Sequence, residues 1–310
     1  MRSILGIAST VSACASLVVA ACSANPSGSD PIHGGTGGGG VGGGGFGATG
    51  GVLLDGGGDG GDTDDCSDNA KKIFVVSEQG DLYLFDPKVD GLAAYQKLGA
   101  LTCDLSSSPQ TMGVDRSGTA WVFYSSGKLY RVTPVKGNVS CSPTDYKHPI
   151  LSPTGSYTLG MGFTAKAAGS KEQVLYMLSE DFGLASIDLA NSYAVSMTGG
   201  LKNISGELTG GPDGRLFTYE ADNGKLSEVL LDASYSMQLI STLNDIKGAN
   251  AWSFARYAGV FYIFTATGST PSTCSMYDPD TSTFKIRDSG IGFTAVGAGQ
   301  STCVPPPPPK

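Results

Sequence analysis

A phrase of β-branched and aromatic residues recurs five times along this 310-residue chain, and that recurrence restricts the possible folds more than any other feature. The copies are IFVVS (Ile73–Ser77), AWVFY (Ala120–Tyr124), VLYML (174–178), LFTYE (Leu216–Glu220) and VFYIFT (260–265). They begin roughly 42 to 54 residues apart, the period of one propeller blade. A polar turn follows each, with glycine at Gly80, Gly127, Gly183, Gly224 and Gly268. A second strand comes next: DLYLF (Asp81–Phe85), KLYRV (128–132), LASID (184–188), LSEVLL (226–231) and CSMYD (274–278). Three of these run into FDP, VTP or YDP, where proline is expected to end the pairing.

A third family of strands precedes four of the five units: TMGVDRSG (111–118), LGMGFTAKAAG (159–169), GELTGGPDG (206–214) and AWSFARYAG (251–259). The first unit has only glycine-rich spacer in that place. Its missing partner stands at the far end of the chain as GIGFTAVGAG (290–299). The economical arrangement is an all-β, single β-propeller of about five blades over residues 66–303, closed by the C-terminal strand joining blade 1. An open β-sandwich would share the period without needing a displaced strand, and a sixth blade would require extra strands within 133–160. Residues 304–310 form a proline-rich tail.

Ahead of the repeats, MRSILGIASTVSACASLVVAAC carries one early arginine, an apolar run and small residues before a cysteine. This reads as an export signal over residues 1–21 rather than a spanning helix. Val19-Ala20-Ala21-Cys22 has the form of a lipobox, with lipid on the Cys22 thiol; Cys14 is a weaker candidate, because uncut apolar sequence would follow it. Ser23 after Cys22 favours the outer membrane of the cell envelope. Residues 22–65 are glycine- and aspartate-rich and lack any hydrophobic period, so they are expected to be a flexible tether with a root-mean-square reach of roughly 35–40 Å. Asp55, Asp59, Asp62, Asp64 and Asp65 lie too irregularly for an EF-hand and read as an acidic spacer.

The formal net charge of −8 argues against nucleic-acid binding and against attraction to anionic lipid, leaving the acyl anchor as the route to the membrane. An exported chain meets oxidising conditions, so Cys66, Cys103, Cys141, Cys274 and Cys303 invite disulfides. Cys66 precedes the first blade strand and Cys303 follows the strand expected to pair with it. The preferred pairing is therefore Cys66–Cys303 with Cys103–Cys141, leaving Cys274 free; Cys274–Cys303 with Cys66 free is the alternative.

Motifs of catalysis are sparse. There is no GxSxG, HExxH or phosphate-binding glycine loop. Only His33 and His148 supply imidazoles, and His148 stands beside Pro149 between blades. GPDG (211–214) and YDPDTST (277–283) serve as turn formers, and Trp121 and Trp252 fall on core strands. Glu207, together with Asp115, Asn250 and Ser253, is the best set of candidates to line the central channel and hold Ca²⁺ or Mg²⁺; otherwise these are polar groups around a water-filled shaft.

GVDRSGTAWVFY resembles the strand–turn–strand phrase of NHL-type, lyase and lactonase propellers. Taken together, MGVDRSGTAWV, MGF, GELTG, NAWSF and VGAGQSTC resemble a group of bacterial envelope lipoproteins, abundant in large-genome soil bacteria, in which a Gly- or Pro-rich tether carries a propeller-like domain. The resemblance implies compartment and fold and assigns no catalytic residue; Cys274 departs from its pattern. The expected function is a non-enzymatic binding or scaffold module without a resident cofactor, meeting an envelope or extracellular protein, peptide or glycan. The alternative is a metal-dependent hydrolase or lyase of the lactonase type that uses channel carboxylates.

Overall fold

The computed structural model describes residues 65–135, 137–149 and 159–309, so the expected signal, Cys22 and almost all of the tether lie outside the described residues. Within them the chain forms twenty strands in five four-stranded antiparallel sheets. Blade 1 holds β1 (Ile73–Ser77), β2 (Asp81–Phe85) and β3 (Tyr95–Ala100). Blade 2 holds β4 (Pro109–Val114), β5 (Ala120–Tyr124), β6 (Leu129–Val135) and β7 (Asn138–Pro143). Blade 3 comprises β8 (Gly160–Ala165), β9 (Gln173–Ser179), β10 (Gly183–Asp188) and β11 (Ala194–Met197). Blade 4 comprises β12 (Glu207–Gly210), β13 (Leu216–Glu220), β14 (Lys225–Val229) and β15 (Met237–Thr242). Blade 5 comprises β16 (Ala251–Tyr257), β17 (Val260–Ala266), β18 (Thr273–Asp278) and β19 (Thr283–Asp288). The last strand, β20 (Ala295–Gln300), crosses back to blade 1 and gives the order β20-β1-β2-β3. The fold is a five-bladed β-propeller.

Successive side chains of a strand point to opposite faces, and both faces of each blade are covered by a neighbour. The β1 phrase shows the consequence: Ile73 and Val75 pack toward blade 5, while Phe74 and Val76 pack toward blade 2. This is why the repeated phrase is continuously apolar instead of alternating. The hydrophobic core is accordingly divided into five clusters, one between each pair of adjacent blades. Fourth strands lie at the rim, where most residues are partly or fully exposed and Val139 and Asp288 are the buried exceptions.

Closure is antiparallel, with Ile73 opposite Gln300 and Val75 opposite Ala298. The strand is shorter than the phrase GIGFTAVGAG suggests, because Gly290 and Gly292 adopt φ of 64° and 90° and turn the chain first. That bend drives Ile291 and Phe293 between blades 5 and 1, where Phe293 stacks on Tyr83 at 3.9 Å. Proline also behaves differently from expectation at VTP, since β6 runs on through Pro134, which faces Val139 of β7. Pairing with β5 has already ended at Val132, and a strand bonded on one side alone tolerates proline. The tail begins inside the fold: Val304 is buried against blade 5, and the Ala258 amide donates to Pro305 O at 3.2 Å.

Both preferred disulfides are present, Cys66–Cys303 with Cα atoms 5.8 Å apart and Cys103–Cys141 at 5.2 Å. Cys274 is a buried free thiol.

Candidate functional site

The five inner strands β4, β8, β12, β16 and β20 converge at their first residues around a pocket of about 300 Å³ at one end of the propeller axis. Pro109 and Gln110 represent blade 2 there, Leu159 blade 3, Glu207 blade 4, Asn250 to Trp252 blade 5, and Thr294 with Val296 blade 1. Glu78, in the turn after β1, completes the rim and is fixed by its amide donating to Thr294 O at 2.8 Å.

Glu207 lies at the floor, only 4% exposed. The Thr111 hydroxyl donates to its Oε1, and the same hydroxyl accepts the Met161 amide at 3.1 Å. Burial pushes the Glu207 carboxyl well above the usual carboxylate range, and the bonds from Thr111 and Met161 offset this only in part. The close approach of blades 3 and 4 here depends on Gly160, where a Cβ would meet Gly206 O at 2.2 Å.

The remaining polar groups of the lining have distinct roles. Asn250 is committed to the chain itself: its Oδ1 accepts the Gly268 amide at 2.6 Å and its Nδ2 donates to Gly268 O at 3.3 Å. Gln110 is half-buried, and its Oε1 is shut off from solvent without a hydrogen-bond partner. The Trp252 ring packs against the blade 4–blade 5 cluster and leaves part of its surface at the pocket. At the opposite end of the axis a second polar brace joins blades 1 and 4, where Gln300 Nε2 donates to Gly210 O and Thr209 Oγ1 donates to Gln300 Oε1 at 2.7 Å.

Of the four residues expected at the channel, Glu207 and Asn250 line the pocket and the other two do not. Asp115 belongs to the turn after β4, at the other end of that strand. Its Oδ1 accepts the Ser117 amide at 2.9 Å and its Oδ2 accepts Trp121 Nε1 at 2.9 Å, so it holds a hairpin. Ser253 is fully buried, with its hydroxyl unpaired. Among the described residues no three His, Cys, Asp or Glu side chains lie together as a metal-ion site. Sequence reasoning missed Glu78, Gln110, Thr111 and Gln300. Each belongs to an ordinary turn or strand phrase, and only the closed ring brings them to the axis.

The first described residues, Asp65 and Cys66, lie at the end opposite the pocket. Cys66 is bonded to Cys303 just beyond the last residue of β20, whereas the pocket surrounds the first residues of the inner strands. Arg116, in the turn after β4, forms an ion pair with Asp65 on that same far side.

No family model matches the sequence, and no curated protein matches it. Among solved structures, the fold is similar to a chain of a nidogen–laminin complex, at 8% identity over 74% of this chain and 97% of that one, with a TM-score of 0.49. It is also similar to virginiamycin B lyase from Staphylococcus aureus, at 13% identity over 70% and 69% of the two chains, TM-score 0.38. A protein of unknown function from Bacteroides caccae gives 13% identity over 73% and 84%, TM-score 0.43.

Proposed function

We propose that this chain is a non-enzymatic binding module, lipid-anchored at the cell envelope through Cys22, probing its surroundings with the pocketed face of a propeller. One observation carries the reading: the tether root at Asp65–Cys66 and the pocket occupy opposite ends of the axis. Attachment at the far end leaves the pocket face clear of the chain that anchors it, and a tether of the expected reach gives the pocket room to search. The polar groups that a metal-dependent lactonase would draw on are otherwise engaged, Glu207 with Thr111, Asp115 with its own turn and Asn250 with Gly268.

Two measurements test the proposal. Cys22→Ser should move the protein from the membrane to the soluble fraction while its melting temperature is unchanged; membrane retention of the variant would overturn the anchor. A photo-crosslinking residue placed at Ser108, an exposed position on the pocket face, should capture a defined envelope or extracellular partner in intact cells, and the same residue at Lys71, near the tether root, should not. Equal capture at both positions would overturn the division of faces.

A further inference from the structure

We infer that the pocket at the start of the inner strands recognises a primary ammonium group, as carried by a lysine side chain or a small free amine. This rests on the reading of the propeller as a binding module and names the chemistry its pocket takes. Three features of the lining point the same way. Its charged and titratable groups are two carboxyls, Glu78 at the exposed rim and Glu207 at the floor, and no Lys, Arg or His joins them. Gln110 Oε1 is a buried carbonyl acceptor still lacking a donor, and an unpaired buried acceptor is satisfied by an incoming N–H group. Trp252 places in the lining the aromatic ring type that attracts a cation most strongly.

An ammonium carries three N–H donors and one charge on a compact head. It can meet the Glu78 carboxylate, the Gln110 carbonyl and the Trp252 ring, while Glu207 keeps its bond to Thr111. The volume also selects: about 300 Å³ is the lower limit of ligand pockets, suited to one side chain or a small amine rather than to an extended ligand. An anionic group would be repelled by the Glu78 carboxylate.

The test uses the full lipidated protein in detergent, titrated calorimetrically with Nα-acetyl-lysine methylamide, its Nε-acetylated counterpart and n-butylamine. The lysine amide should bind. Nε-acetylation, which removes the charge and two of the three N–H donors while adding an acyl group, should weaken binding at least roughly tenfold, the combined scale of an exposed ion pair and a cation–π contact. Glu78→Gln should weaken the lysine amide about two- to fivefold and flatten its salt dependence. Glu78 is exposed, so this variant folds even where a Trp252→Leu change disturbs the blade 4–blade 5 cluster. Competition between butylamine and the lysine amide would show that the head group alone is read; butylamine binding without the lysine amide would assign the site to free amines. Equal binding of the acetylated and unacetylated amides, or no binding of any amine up to about 10 mM, would overturn the inference. Selective crosslinking at position 108 would then still stand, so the loss of ammonium recognition and the loss of the binding-module reading are told apart.

Discussion

The Thr111 hydroxyl, on the inner strand of blade 2, donates to the Glu207 carboxyl on the inner strand of blade 4, tying two blades that are not neighbours. The same oxygen accepts the Met161 amide of blade 3, so one hydroxyl serves three blades at the axis. Gln300 does the corresponding work for blades 1 and 4 at the other end. Adjacent blades are joined by apolar layers and by polar contacts such as Tyr95 Oη to Asp288 at 2.9 Å, whereas these two braces fix the ring across its centre.

Thr111→Val tests the first brace with almost no change of volume. It leaves the Glu207 oxygen and the Met161 amide buried without their partner, at a cost of about 2–4 kcal/mol. Thr111→Ser restores the hydroxyl and should recover most of the loss. Denaturant unfolding of the two variants is the check; a Val variant as stable as the Ser variant would mean the brace contributes nothing.

The raised Glu207 pKa makes a prediction about pH. Above the ordinary glutamate pKa of about 4.3 the unfolded chain has released this proton while the folded chain still holds it. The folded state then binds more protons, so this group's contribution to stability declines as pH rises, until the folded carboxyl itself ionises. Glu207→Gln keeps an oxygen for Thr111 and cannot ionise. Its melting temperature should vary less than that of the parent between about pH 5 and pH 8, and should match or exceed it at the upper end. A parent and variant with parallel profiles would refute the assignment.

Blade number and ring closure were legible in the sequence, because each central strand is buried on both faces and announces itself as an apolar phrase of fixed spacing. Four of the five phrases could be preceded by an inner strand, and the fifth inner strand was readable at the C-terminus for the same reason. The axis was less legible. Asp115 and Glu207 look alike as acids beside an inner strand, yet Asp115 follows β4 and caps a turn, whereas Glu207 begins β12 and faces the pocket. The GVDRSG phrase did contain the distinction, since an aspartate opening a turn ordinarily binds the backbone two residues on. Nothing local marked Gln110 or Gln300, whose surroundings come from blades far away in the chain.

Loss of the closing strand should be far more damaging than loss of the tether. Deleting residues 289–310 removes β20, the Gln300 brace and the Phe293–Tyr83 stack, and leaves β1 as an open apolar edge that templates aggregation. Deleting 23–60 is expected to leave the melting temperature unchanged. Size-exclusion chromatography and thermal unfolding of the two truncations would decide; a monomeric C-terminal truncation with the parent melting temperature would contradict closure by β20.

The Cys66–Cys303 bridge spans 237 residues and locks β20 onto blade 1, whereas Cys103–Cys141 spans 38 and ties the connection between blades 1 and 2 to the rim strand β7. Restricting the unfolded chain is worth roughly 5.5 kcal/mol for the longer loop and roughly 4 kcal/mol for the shorter, by chain entropy. Changing Cys66 and Cys303 to Ser should therefore lower the melting temperature more than changing Cys103 and Cys141. Cys274 supplies an internal reporter, because it is fully buried and burial pushes its thiol up to about 12. In the folded protein it should resist alkylation near neutral pH, since the thiolate is the reactive form. The Cys66/Cys303 variant should expose it sooner on heating, and non-reducing peptide mapping of the parent should find Cys274 alone among the blade cysteines as a free thiol. Equal alkylation rates in parent and variant across the melting range would show that the long bridge does not hold the ring closed.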